Sequence, residues 1–175
     1  ASVSGGTICV LKGEYQENLI LDHSLTLRSA GDPSDVIIDG GGTASVIEAV
    51  SGDVTIMGLT LQNGTGNTDP VVFELVGGGL AVMDVDSLYM DNCIVKDNAA
   101  EYGGGIYVRG SSQDVEVANT LITGNTASIA GGGFLVRGSA ALLDNVEVTE
   151  NTATFYGGGL ASWPLEDFFL GSQLG

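Results

Sequence analysis

Apolar residues fall along the chain in short runs, many of them alternating with polar ones. Ile8-Cys9-Val10-Leu11, Leu19-Ile20-Leu21, Leu25-Thr26-Leu27, Val36-Ile37-Ile38 and Val54-Thr55-Ile56 are examples. Period two with β-branched enrichment predicts strands. Gly, Asn, Asp and Ser separate the runs and supply turns, because they tolerate positive φ or bond their own backbone. Two-residue hairpin signals are nearly absent, so successive strands are not expected to pair antiparallel.

Glycine triplets impose a longer period. They lie at Gly40-Gly41-Gly42, Gly77-Gly78-Gly79, Gly103-Gly104-Gly105, Gly131-Gly132-Gly133 and Gly157-Gly158-Gly159, and the last four start 26, 28 and 26 residues apart. VKDNAAEYGGGI, ITGNTASIAGGGF and VTENTATFYGGGL form one repeating sentence. Each copy carries two asparagines six residues apart: Asn92 and Asn98, Asn119 and Asn125, Asn145 and Asn151. A fixed period in this range means stacked units. Three strands per unit, each turn above the last, predict an all-β fold, a right-handed parallel β-helix of roughly six to seven turns. Stacked asparagine amides can bond from rung to rung as a ladder, and Asn also accepts the left-handed backbone of a sharp corner. Gly103, Gly104, Gly131, Gly132, Gly157 and Gly158 read as structural turns that let backbones approach closely.

One domain is expected over residues 1–175. Residues 1–64 form irregular N-terminal turns, 65–76 a loop excursion and 77–162 the regular repeats; 163–175 form a C-terminal cap. Pro164 ends regular pairing, and Phe168, Phe169 and Leu170 fold over the open end. The N-terminus lacks the basic and apolar regions of a signal peptide and reads as a processed or trimmed chain.

Composition narrows the function classes. The chain of 175 residues is 43% apolar and only 6% aromatic, with 28 glycines. That favours small branched cores with tight corners over long helices. Five basic against 22 acidic residues give a net charge of −17. Such a field repels phosphate backbones and anionic membranes, which argues against nucleic acid as a partner. No apolar stretch is long enough for a transmembrane helix, so no membrane insertion by this chain is expected. Cys9 and Cys93 lie too many rungs apart for a disulfide and read as small core residues.

The repeats resemble those of polymorphic outer membrane proteins, within the pectate-lyase-like superfold. Gly103-Gly104-Gly105-Ile106, Gly131-Gly132-Gly133-Phe134 and Gly157-Gly158-Gly159-Leu160 match that family's GG-aliphatic motif. Val95-x-x-Asn98, Ile122-x-x-Asn125 and Val148-x-x-Asn151 match its F-x-x-N motif with an aliphatic residue in place of Phe. The N-terminal GxYxExL and DGG elements look like the opening turns of periplasmic and secreted β-helix proteins. The resemblance implies a secreted or cell-surface location.

Carbohydrate-active enzymes share this superfold. Asn67-Thr68-Asp69 matches one tripeptide of polygalacturonase-like hydrolases, but their other elements are missing, so the match reads as chance. His23, the only histidine, lacks a catalytic context. Arg109 and Arg137 are 28 residues apart and stack. They form either a surface charge-balancing column, with Asp84 and Asp114 as acidic neighbours, or a strip that binds uronate carboxylates. Asp97 and Glu150, like Asp91 and Asp144, are separated by a blank rung, too far apart to share an ion. No metal-ligand set and no cofactor are therefore assigned; calcium stays open, held by loops. Thr126 and Thr152 stack without making the array an ice-binding face needs.

The leading expectation is a non-enzymatic extracellular β-helix presenting a binding or adhesive surface to a polysaccharide or another surface protein. The alternatives are a polysaccharide-active enzyme fragment using Arg109 and Arg137, and a subunit that self-associates end to end.

Overall fold

A computed structural model describes residues 5–110 and 114–163. Almost every element in it is a short strand. Most strands pair in parallel with the strand one turn earlier and the strand one turn later, so the chain coils into a solenoid. The first face stacks Gly6–Val10, Leu25–Ser29, Asp53–Met57, Ser87–Asp91, Asp114–Ala118 and Ala140–Asp144. The second stacks Gly13–Gln16, Val36–Asp39, Thr60–Gln62, Ile94–Lys96, Leu121–Thr123 and Glu147–Thr149. The third stacks Leu19–Leu21, Ile47–Ala49, Leu80–Met83, Ile106–Arg109, Phe134–Arg137 and Leu160–Trp163. Six strands per face make about five full turns from first to last, slightly fewer than the six to seven expected.

From residue 67 onward a turn carries four strands, not three. The fourth face stacks Leu75–Val76, Ala99–Tyr102, Thr126–Ala130 and Thr152–Ala153. AAEY and TASIA have weak β-propensity, and packing beside the preceding turn holds them extended. Among the described residues the one antiparallel pair is Asn67–Thr68 with Leu75–Val76, so the expected loop excursion contains a hairpin. The turns before residue 65 join the first three faces in continuous register. Their irregularity is the missing fourth strand.

Two apolar clusters hold the rod. The first fills the coil and includes Leu27, Val54, Ile56, Met90, Val95, Ile106, Val108 and Ile122. The second lies outside the coil, on the outward side of the third face. Ala81, Met83, Tyr107 and Leu135 pack there against Val72 and Val76 of the hairpin and Tyr102 and Ala130 of the fourth face. Leu80–Met83, Ile106–Arg109 and Phe134–Arg137 are therefore buried on both sides, which is why LAVM, IYVR and FLVR read as near-continuous apolar runs. Cys93 is buried in the first cluster, and burial pushes its thiol up to about 12. Cys9 is exposed on the first rung, contrary to the core role expected for both. Trp163 is no part of a cap: it pairs with Arg137 in the last third-face strand. The rest of the expected cap, including Phe168, Phe169 and Leu170, lies outside the described residues.

Candidate functional site

The two asparagine columns occupy different corners. Asn98, Asn125 and Asn151 stand between the second and fourth faces. The backbone N–H and Nδ2 of Asn98 donate to Asn125 Oδ1 at 3.1 and 3.0 Å. The same two groups of Asn125 donate to Asn151 Oδ1, both at 2.9 Å. Each amide also donates back to a carbonyl of the preceding turn: Leu61, Val95 and Ile122 in order. Gly64, whose N–H donates to Asn98 Oδ1 at 2.8 Å, caps the ladder. Asn92, Asn119 and Asn145 stand between the first and second faces and are exposed. Asn145 Nδ2 donates to Asn119 Oδ1 and Asn119 Nδ2 to Asp91 Oδ1, each at 2.8 Å.

The triplets serve the inner column. In Gly103-Gly104-Gly105 the first residue has φ +62. A Cβ on Gly104 would sit 2.6 Å from the Gly132 carbonyl oxygen, and one on Gly105 would sit 3.0 Å from Asn125 Cγ. The third glycine thus makes room for an asparagine of the next repeat. Gly131-Gly132-Gly133 repeats this against Gly158 and Asn151; on the last rung Gly157 is as crowded as its counterparts, while Gly158 and Gly159 are less so.

Arg109 and Arg137 are paired residues of adjacent third-face strands, but neither is a surface charge. They are 6% and 4% exposed, because the second cluster covers this side of the sheet. That corrects the expected surface column. Arg109 Nε donates to Asp69 Oδ2 at 2.7 Å, and Arg109 Nη2 lies 2.9 Å from Asp84 Oδ2. The Tyr107 hydroxyl donates to the same Asp69 oxygen at 3.2 Å. Asp69 is fully buried, and its other oxygen accepts from the backbone N–H of Val71 at 2.7 Å and of Val72 at 3.4 Å. Desolvation opposes charge on Arg109, but the hydrogen bonds and charges of Asp69 and Asp84 outweigh it and raise its pKa. Desolvation, then the Asp69 charge, raises the Tyr107 hydroxyl. The guanidinium stays charged and the phenol stays protonated, so both donate and neither accepts a proton at neutral pH.

Sequence reasoning placed Asp84 beside an arginine, and it lies there. It missed Asp69, 40 residues from Arg109 in sequence. The available signal was the arginine ending each apolar run, IYVR and FLVR, which demands a buried counter-charge. Trp163 continues the arginine column and meets Tyr102 edge-on at 5.3 Å and Tyr156 at 6.0 Å. Thr126 and Thr152 hydroxyls bond at 3.3 Å. His23 Nδ1 lies 2.6 Å from Asp22 at a corner. Among the described residues no three of His, Cys, Asp and Glu converge to hold a metal ion, and no helix is long and apolar enough to cross a membrane.

The coil agrees with a family model. The model for the right-handed β-helix region matches residues 5–162. The chain belongs to the right-handed β-helix family. No curated protein and no solved structure matches it. β-Helix membership fixes the scaffold, while activity is a property of sites on it. On this scaffold Arg109 pairs with the buried Asp69 under the hairpin and with the exposed Asp84 beside it.

Proposed function

We propose that the chain is a non-enzymatic β-helix that presents a binding or adhesive surface outside the cell. Its partner is a polysaccharide or another surface protein. One observation carries this reading: the residues best placed for uronate chemistry are committed to the fold. Arg109 bonds Asp69 and Asp84, Arg137 is buried beside it, and the 67–76 hairpin packs over this side of the sheet. The GG-aliphatic and aliphatic-x-x-Asn repeats support a place near polymorphic outer membrane proteins in the pectate-lyase-like superfold, and with it a secreted or cell-surface location. A net charge of −17 keeps such a surface soluble.

A depolymerisation screen on pectin, polygalacturonate, alginate and xylan, with and without calcium, tests this. The expected result is no reducing ends and no unsaturated products. Turnover lost on Arg137→Lys would instead establish a polysaccharide-active enzyme.

End-to-end stacking is the second reading, favoured by the terminal rungs. Ile8, Leu11 and Ile20 are exposed at one end, and Leu142 and Leu160 at the other. Among the described residues the first- and last-rung strands pair on one side only, and such edges can pair with another copy. Light scattering across a concentration series tests it, and a constant monomer mass would remove it.

A further inference from the structure

The 67–76 hairpin carries more apolar surface than its packing uses. Val72 and Val76 enter the second cluster. Val71, Phe73 and Leu75 instead face solvent, at 60%, 79% and 41% exposure. Phe73 is the most exposed large apolar residue among those described. Its backbone has φ +60, a left-handed conformation that a bulky aromatic rarely adopts and that surrounding structure must enforce.

Here the enforcement is visible. The buried Asp69 carboxylate is clamped by Arg109 and Tyr107 and holds the N–H groups of Val71 and Val72. Phe73 N–H donates to the Asp69 carbonyl at 2.8 Å, and Asp69 N–H donates to the Glu74 carbonyl at 3.0 Å. Leu75 N–H donates to the Glu101 carboxylate at 2.7 Å. A charged, fully bonded anchor beneath the loop thus fixes an aromatic side chain in water. Pre-ordering removes much of the entropy cost of binding, and rigid aromatic anchors carry a large share of interface energy.

The charge beside Phe73 says what should meet it. Glu101, whose carboxylate accepts from the N–H of Leu75 next to Glu74, raises the Glu74 pKa, by hydrogen bonding first, with desolvation and then like charge adding to it. A cation placed between two such carboxyls relieves the repulsion. We infer that the hairpin tip is a protein-docking anchor: Phe73 and Val71 enter an apolar pocket on a partner protein, and a Lys or Arg of that partner sits between Glu74 and Glu101. This rests on the non-enzymatic binding reading and gives it a surface and a partner chemistry. The ion pair under the hairpin is a positioning device for that tip.

The test is a displayed library of random 12-residue peptides selected against the full chain. Selected peptides are then measured on wild type, Phe73→Asn, Glu74→Gln and, as a control on the first face, Tyr89→Ser. Asn suits the left-handed backbone better than Phe, so Phe73→Asn should melt no lower than wild type. Enriched peptides should combine Lys or Arg with aromatic or aliphatic residues. Their affinity should fall at least about tenfold on Phe73→Asn and less on Glu74→Gln, and stay unchanged on Tyr89→Ser. Equal affinity for wild type and Phe73→Asn, or no enrichment of basic-apolar peptides, would overturn the proposal. So would Phe73-dependent binding of a polysaccharide alone. Peptides that bind but ignore Phe73 would sink the hairpin anchor and leave the binding-module reading standing. Product release in the depolymerisation screen would sink both.

Discussion

Two columns of asparagine run along this rod with the same spacing, and they do opposite things. In the inner column the side chain is used. Asn98 and Asn125 are buried and their amides link rung to rung and back to the previous turn. The left-handed backbone at that corner belongs to the residue before: Asp97, Gly124 and Glu150 have φ of +56, +66 and +57. In the outer column the backbone is used. Asn92, Asn119 and Asn145 are themselves left-handed, with φ of +50, +47 and +53, and their side chains lie in water. A repeated residue therefore marks a repeated position, but not a repeated cause. Asn fits one corner for its amide and the other for its tolerance of positive φ.

The comparison breaks most sharply at Asn125→Ala. Truncation removes the acceptor for two Asn98 donors and the donor to Asn151 Oδ1 and the Val95 carbonyl. Buried groups left unpaired cost about 1–3 kcal/mol each, and partial relaxation makes about 2–3 kcal/mol in all the expected loss. Urea unfolding measures it. An unchanged midpoint would show that the ladder contributes nothing.

Gly105→Ala attacks the same column from behind. Its Cβ would lie 2.5 Å from the Gly133 carbonyl oxygen and 3.0 Å from Asn125 Cγ. Backbone on one side and a fully bonded amide on the other leave little room, so a loss of about 2 kcal/mol is expected. Combining it with Asn125→Ala should give less than the sum, because the second change removes part of the clash. Strict additivity would mean that the glycine serves the neighbouring backbone alone.

Asn119→Ala is the matching change in the outer column. Its amide bonds are exposed, and alanine keeps the left-handed backbone at a cost of about 1 kcal/mol. Asn119→Gly should recover that loss, whereas Asn125→Gly should be as damaging as Asn125→Ala. This crossed pattern separates backbone from side-chain causes more cleanly than either magnitude. A thermal melt of the four variants decides it, and equal rescue by glycine in both columns would erase the distinction.

Much of this architecture was legible in the chain because it rests on local pattern. Period-two runs gave the strands, and the 26- and 28-residue spacing gave the stack. Both columns were visible, but not which was buried. That depends on Gly79, Gly105 and Gly133, which lie against Asn98, Asn125 and Asn151. Residues before 65 looked irregular because they lack the fourth strand; Asn18 holds the inner-corner position on the first rung, but its amide donates to the Gly40 and Ser45 carbonyls, and Gly64 stands where the ladder begins. The arginine site was the least legible part. Arg109 is buried only because the hairpin packs over it and brings Asp69, and a contact 40 residues away leaves no periodic trace. Val71 and Phe73 fell within the expected loop excursion, where no period assigns them a face.

The smallest effect expected carries the opposite sign. Glu150 is an exposed residue with φ +57, at the corner position where the previous turn has Gly124. A left-handed glutamate stores about 1 kcal/mol or more of strain, which glycine would release. Glycine also gains freedom in the unfolded chain, which offsets about 0.4–1 kcal/mol of that. Glu150→Gly should therefore stabilise by a few tenths of a kcal/mol, and it also removes one charge from a chain at −17. Glu150→Gln separates the two contributions, since it removes the charge and keeps the strain. If Gln raises the melting temperature as much as Gly does, the gain is electrostatic. If only Gly raises it, the left-handed residue of the inner corner is the one before the asparagine, and the two columns differ in the way described.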